Sequence, residues 1–115
     1  MKLYSTLSRR LEDLTLGEDE IKMYVCGITP YAPCHVGHAM SYVIFDVIRR
    51  YLEFKGHNVL HIQNFTDIDD KIINRSNEQN VPWQELTGKF IQAFYEDMGQ
   101  LNIQSPTEEP KATDH

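Results

Sequence analysis

No apolar stretch in this sequence is long enough to cross a bilayer, which takes about 20 residues as a helix, so no membrane span is expected. Cysteine is scarce. Cys26 and Cys34 allow one disulfide at most, which excludes a disulfide-stapled scaffold and leaves a thiol or thiolate role in a reducing compartment as the more natural use. Basic charge is also scarce: 11 Lys and Arg face 17 Asp and Glu, a formal net charge of −6, with a pI near 5.2. The closing EEPKATDH carries −2 of that total. The remainder still argues against a general nucleic-acid-binding surface, which would be basic. Neither a GxGxxG fingerprint nor a Walker loop occurs, and no repeat or low-complexity block interrupts the chain. The opening MKLYSTLSRRLEDL lacks the unbroken apolar segment of a secretory signal, so an intracellular, cytoplasmic protein is expected. What is present is ordinary globular material: 115 residues, 41% apolar and 24% charged, enough for one core.

Residues 1–20 read as a polar N-terminal arm with a short apolar patch (Leu11, Leu14 and Leu16), a stop at Gly17 and a charged turn at 18–20. IKMYVCGI at 21–28 is short, apolar and partly β-branched, which predicts a buried strand ending at Gly27. TPYAPCHVGH at 29–38 has two prolines and a glycine and is predicted to begin as a loop. From Ala39 the pattern turns helical. Met40, Ile44, Val47, Tyr51 and Phe54 recur every three or four residues and predict the core-facing stripe of a helix. Gly56 is its expected stop, and Arg49, Arg50 and Lys55 suit its C-terminal dipole. NVLHIQNF at 58–65 predicts a strand, with Val59, His61, Gln63 and Phe65 on one face. The succession strand, loop, helix, strand predicts a right-handed βαβ unit. Thr66 is the expected cap of the next helix, with Asp67, Asp69 and Asp70 in its first turn and Ile68, Ile72 and Ile73 on its apolar side. Pro82 suits the start of a long amphipathic helix marked by Trp83, Leu86, Phe90, Phe94, Met98 and Leu101. Residues 21–105 are thus expected as one half of an α/β nucleotide-binding domain, and 106–115 as the polar end of a truncated chain.

Chemistry concentrates between Cys26 and His38, where strand gives way to helix. Ligands collect at the carboxyl ends of strands in open α/β sheets, and free N–H groups at a helix start accept phosphate. His35 and His38, with Gly37 between them, can donate hydrogen bonds to phosphoryl oxygens as charge develops, and a glycine leaves room for a base or ribose. A bland reading stands beside this one: a surface His-x-x-His pair, and two small buried thiols. A closed zinc site of Cys26, Cys34, His35 and His38 has poor spacing; Cys26 as one zinc ligand among partners elsewhere fits better.

These residues resemble the class I aminoacyl-tRNA synthetases, and most closely the cysteinyl-tRNA synthetase family. His35-Val36-Gly37-His38 is similar to the HIGH signature, MYVCGITPY at 23–31 to the strand and loop before it, and NFTDIDDKII at 64–73 to a second family block. LYSTLSR at 3–9 and EPKATDH at 109–115 resemble the flanking segments, so the likeness covers nearly the whole chain. It implies a Rossmann-like (HUP-type) fold of which this chain is the first half, with parallel strands and helices. It also implies activation of cysteine with ATP and Mg2+ and transfer to tRNA(Cys). By the same resemblance His35 and His38 are catalytic, His35, Gly37 and His38 bind ATP, Gly27, Thr29 and Thr66 line the cysteine pocket, and Cys26 is the first ligand of a Zn2+ that grips the substrate thiolate. A soft thiolate is a good zinc partner, so the metal can tell cysteine from serine.

The sequence departs from the pattern in places. Val36 stands for Ile, a volume-conserving change. Ala39-Met40-Ser41 lacks the Arg many members carry there. The other zinc ligands, the KMSKS loop and the anticodon-binding regions of the family are expected beyond residue 115. Two rival readings are the related cysteine ligases of mycothiol synthesis, against which Lys71-Ile72 argues, and a non-catalytic nucleotide- or partner-binding fragment.

Overall fold

A computed structural model describes residues 1–14 and 20–114. The charged turn expected at 18–20 and the stop at Gly17 lie largely outside the described residues. The N-terminal arm is a hairpin. Strand β1 (Lys2–Ser5) pairs antiparallel with β2 (Arg10–Asp13), in the register Lys2↔Asp13 to Ser5↔Arg10. The four-residue loop between them closes with Arg9 in the left-handed region, φ 57°.

Strand β3 (Ile21–Val25) runs parallel to β4 (Val59–Gln63), in register from Ile21↔Val59 to Val25↔Gln63. Helix α1 (Val36–Phe54) connects them. It stops as Gly56 implied: Gly56 sits at φ 89°, its N–H donates to the Glu53 carbonyl, and the His57 N–H donates to Leu52. That is a Schellman closure, which a residue bearing a Cβ would strain. Two helices follow, α2 (Asp70–Gln79) and α3 (Trp83–Gln100).

The polar C-terminal stretch is a third parallel rung of the sheet, not a loose end. Ile62 bridges to Glu108 and Phe65 to Lys111 on the far side of β4 from β3. Gln63 and Phe65 donate to the carbonyls of Glu108 and Pro110 at 3.0 and 2.9 Å. Buried Asp67 then fastens the following turn, accepting from the Thr113 N–H at 3.0 Å and its hydroxyl at 2.7 Å. Composition hid this segment because its pairing is carried by the backbone.

The core gathers Val25, Ile28, Tyr42, Phe65, Phe94 and Met98. Phe94 meets Tyr42 and Phe65 edge to face, with ring centroids 5.3 and 5.6 Å apart, a geometry favoured by the ring quadrupoles. The expected α3 stripe holds in its middle, with Leu86, Phe94 and Met98 buried and Trp83 and Phe90 half-buried, but Leu101 is 47% exposed and caps the helix.

Helix α1 corrects the sequence reading. Its expected stripe faces outward, with Met40 64%, Ile44 51% and Val47 59% exposed, and Phe54 85%. Tyr42, Asp46 and Leu52 face inward instead. The helix is apolar on more than one side, a pattern typical of helices covered all round, and periodicity alone could not choose between the sides. The charges explain the choice. Asp46 accepts from the Gln104 N–H at 3.0 Å and from Arg50 at 2.7 Å. Arg49 and Arg50 donate to the carbonyls of Ser105 and Asn102, both at 2.7 Å. The arginines therefore tie α1 to the segment returning to the sheet, and its last turn carries no basic residue.

His61 lies between β4 and α1, 5% exposed, with both ring nitrogens unpartnered. Burial lowers its pKa from 6.5, the Arg49 cation lowers it further, and Asp46 opposes. The unfolded chain therefore takes up a proton that the folded chain refuses. The resulting stability is complete above about pH 6.5 and declines as pH falls towards the folded value.

Two outcomes are expected. Leu52→Ala should cost about 2–5 kcal/mol in urea denaturation, whereas Ile44→Ala should stay within roughly 0.5 kcal/mol; equal costs would reverse the assignment of the buried face. Between pH 7 and 5 the urea midpoint should fall, and should fall less steeply in His61→Leu.

Candidate functional site

The site forms where β3 and β4 end. Gly27 follows β3, and a Cβ placed there would lie 1.4 Å from the Asn64 carbonyl oxygen, so only glycine lets the two strand ends approach this closely. The Asn64 side chain completes the clasp. Its Oδ1 accepts from the Gly27 N–H at 2.9 Å, and its Nδ2 donates to the Thr66 hydroxyl at 3.4 Å. The Thr66 N–H donates to the Ile28 carbonyl at 3.0 Å. The Cys26 thiol is exposed just beyond the strand.

The His-x-x-His stretch forms the cap and first turn of α1. His35 is the N-cap, and α1 begins at Val36, three residues before Ala39. The His35 Nδ1 accepts from the Gly37 N–H at 3.1 Å, and the His38 Nδ1 accepts from the His35 N–H at 3.3 Å. This is a reciprocal capping box built from two imidazoles instead of the usual hydroxyl and carboxylate. The rings stack with centroids 3.9 Å apart and an interplanar angle of 18°. Gly37 serves this packing, because a Cβ there would sit 3.0 Å from the His35 Cε1. An Nδ1 that accepts carries no proton, so each neutral ring holds its hydrogen on Nε2 and offers that atom as a donor. Burial, and then the neighbouring His35, lower the His38 pKa, which keeps that ring neutral.

His35 and His38 open onto a cleft of about 280 Å³ that Gly27, Thr29, Tyr31 and Lys71 also line. Thr66, Gly37 and the Cys26 thiol do not line it. The structure thus brings together four of the expected residues and sets the other three at its margin. Cys34 packs against the core, where burial and then Asp97 raise its thiol pKa. With Cys34 so placed and both Nδ1 atoms engaged in the cap, the closed zinc arrangement of Cys26, Cys34, His35 and His38 is not formed. Among the described residues no cluster of three or more His, Cys, Asp or Glu side chains could hold a metal.

The acidic block also differs from expectation. Asp69, not Thr66, caps α2, accepting from the Lys71 N–H at 2.8 Å. Only Asp70 lies in the first turn, Asp67 holds Thr113 as described, and Ile68 is exposed before the helix begins. Asn64, Tyr31 and Lys71 were missed. The signal for Asn64 was its place at the carboxyl end of a parallel strand, and for Lys71 a cation at a helix start, where anions are favoured.

Residues 13–115 match the family model described as tRNA synthetases class I (C) catalytic domain. The chain belongs to this family. It is 53% identical over 116 residues to a cysteine–tRNA ligase of Maridesulfovibrio salexigens, matching 100% of this chain and 24% of that protein. It is 52% identical over 118 residues to the cysteine–tRNA ligase of Archaeoglobus fulgidus, matching 100% of this chain and 25% of the relative. The chain therefore spans about a quarter of the length of the curated relatives it matches. Among solved structures it is similar to Mycobacterium tuberculosis methionyl-tRNA synthetase in complex with methionyl-adenylate, with a TM-score of 0.67 at 26% identity over 73% of this chain and 17% of that one. A second structure of that enzyme, bound by methionyl-adenylate, superposes with a TM-score of 0.76 at 24% identity over 84% of this chain and 19% of that one, a likeness of fold. The partial, parallel Rossmann-like fold is thereby established.

The glycines give a direct check. Gly27→Ala should destabilise the chain by roughly 3 kcal/mol, because backbone must shift to admit the methyl group. Gly88→Ala, in α3 with nothing within 4 Å of its Cβ position, should be neutral or stabilising. Urea midpoints read both, and a wild-type midpoint for Gly27→Ala would contradict the close approach.

Proposed function

We propose that this chain is the N-terminal part of the catalytic domain of a cysteine–tRNA ligase, working in the cytoplasm. The whole enzyme activates cysteine with ATP and Mg2+ to cysteinyl-adenylate and transfers the cysteinyl group to tRNA(Cys). The observation that carries this reading is the double-imidazole cap: two rings with Nδ1 engaged in the cap, both lining a cleft at the carboxyl end of a parallel strand pair. Similarity to cysteine–tRNA ligases along the full chain supports it.

In this reading His35 and His38 donate to phosphoryl oxygens as negative charge grows in the transition state for adenylate formation. The donors are preorganised, since stacking and capping fix both rings before substrate arrives. Gly37 lets the His35 ring lie against the helix start. Gly27 and Thr29 form the wall facing cysteine, and Thr66 is held behind them by Asn64. The exposed Cys26 thiol can supply one zinc ligand. The described residues contain no set that completes a site. When bound, zinc would select cysteine by holding its thiolate.

The test uses a polypeptide of the relatives' length carrying this chain. It should support cysteine-dependent exchange of pyrophosphate into ATP and charge tRNA(Cys), while the 115-residue chain alone should bind ATP weakly at most, hold no stable zinc and charge nothing. Loading of a non-tRNA amine acceptor instead would point to the mycothiol-type ligases. Absence of cysteine-dependent exchange in the long polypeptide would leave nucleotide binding alone. In that polypeptide Cys26→Ser should lower zinc content and cysteine affinity far more than Cys34→Ser, and equal zinc content in the two variants would refute the role of Cys26.

A further inference from the structure

The cleft beside the histidines differs in charge from the rest of the molecule. The sequence carries 17 acidic residues and a net charge of −6, yet no acid lines this cleft and Lys71 is its one formal cation among the described residues. Lys71 stands in the first turn of α2, where the helix dipole disfavours a cation. Its ammonium lies over the Tyr31 ring, 5.6 Å from the centroid. Tyr31 is itself fixed by a tight turn in which its N–H donates to the Thr29 carbonyl at 2.9 Å. None of the ion pairs among the described residues involves Lys71. Nearby Asp69 is occupied with the Lys71 backbone N–H.

A long, flexible side chain thus rests on an aromatic face in the same cleft as the two imidazoles, and its charge makes no ion pair among the described residues. We propose that Lys71 is a phosphate-binding residue of this site, contacting the anionic phosphates of the nucleotide from the side of the cleft opposite α1. Lysine acts on phosphate as a mobile point charge with three donors. Together with two Nε2–H donors it makes this cleft a local trap for an oxyanion on an acidic protein, and electrostatic focusing in a concave site strengthens the attraction.

This inference rests on the nucleotide-binding reading above, and one experiment separates the two. Wild-type chain, Lys71→Gln and Lys71→Arg are titrated with ATP and with adenosine at millimolar concentrations, followed by ligand-observed NMR. Lys71→Gln should weaken ATP binding about tenfold, in line with the loss of one charged hydrogen bond, leave adenosine binding unchanged, and be largely rescued by Lys71→Arg. Unaltered ATP binding in Lys71→Gln, or an equal loss for ATP and adenosine, overturns the role of Lys71 while leaving the nucleotide site standing. Failure of the wild-type protein to bind either ligand, in a polypeptide of the relatives' length as well, overturns both.

Discussion

The approach of β3 to β4 at their carboxyl ends governs the arrangement of the site. Where Gly27 passes the Asn64 carbonyl there is no room for a side-chain atom, and the Asn64 amide bridges the gap by joining the Gly27 N–H to the Thr66 hydroxyl. Fixing these strand ends fixes the exits of the two loops that follow them. One leads to His35 and α1, the other to Asp69 and α2. The cleft lies between those exits, lined by Gly27, Thr29 and the two histidines from the first and by Lys71 from the second. Regular elements hold the geometry of a site more closely than loops do.

At the start of α1 a structural and a chemical requirement meet in the same atoms. A helix begins with free N–H groups that need acceptors. Here two imidazole Nδ1 atoms accept from the Gly37 and His35 N–H groups. This secures the helix and also sets the tautomer that presents Nε2–H to the cleft. A histidinium at position 38 would lose its acceptor and place charge at the positive end of the dipole, so the cap favours the neutral His38 ring. The lowered pKa of His38 agrees in direction.

Helix α1 shows how charge can decide what hydrophobic pattern leaves undecided. Both its sides carry apolar residues, yet Asp46, Arg49 and Arg50 find specific partners along residues 102–105. Turning the Met40–Ile44–Val47 side inward would strip those groups of their partners. The same ties guide the chain to β4, where it adds the rung at 108–111.

Much of the fold was legible from residue order. Alternation marked β4, a helical period marked α3, Gly56 marked the end of α1, and the quoted motifs pointed to the family that the match over residues 13–115 establishes. These signals are local: they depend on residues a few positions apart, and propensity and periodicity encode them directly. The rest depended on residues distant in sequence. Which side of α1 is buried, the pairing of 108–111 with β4, the employment of Asp67 by Thr113, the clasp of Asn64 on Gly27 and the presence of Lys71 in the cleft each join positions at least 37 apart or on separate elements. Backbone hydrogen bonds and close approaches of this kind leave no periodic trace, because any residue offers the same N–H and C=O. They exist only once the strands and helices have packed and selected their partners.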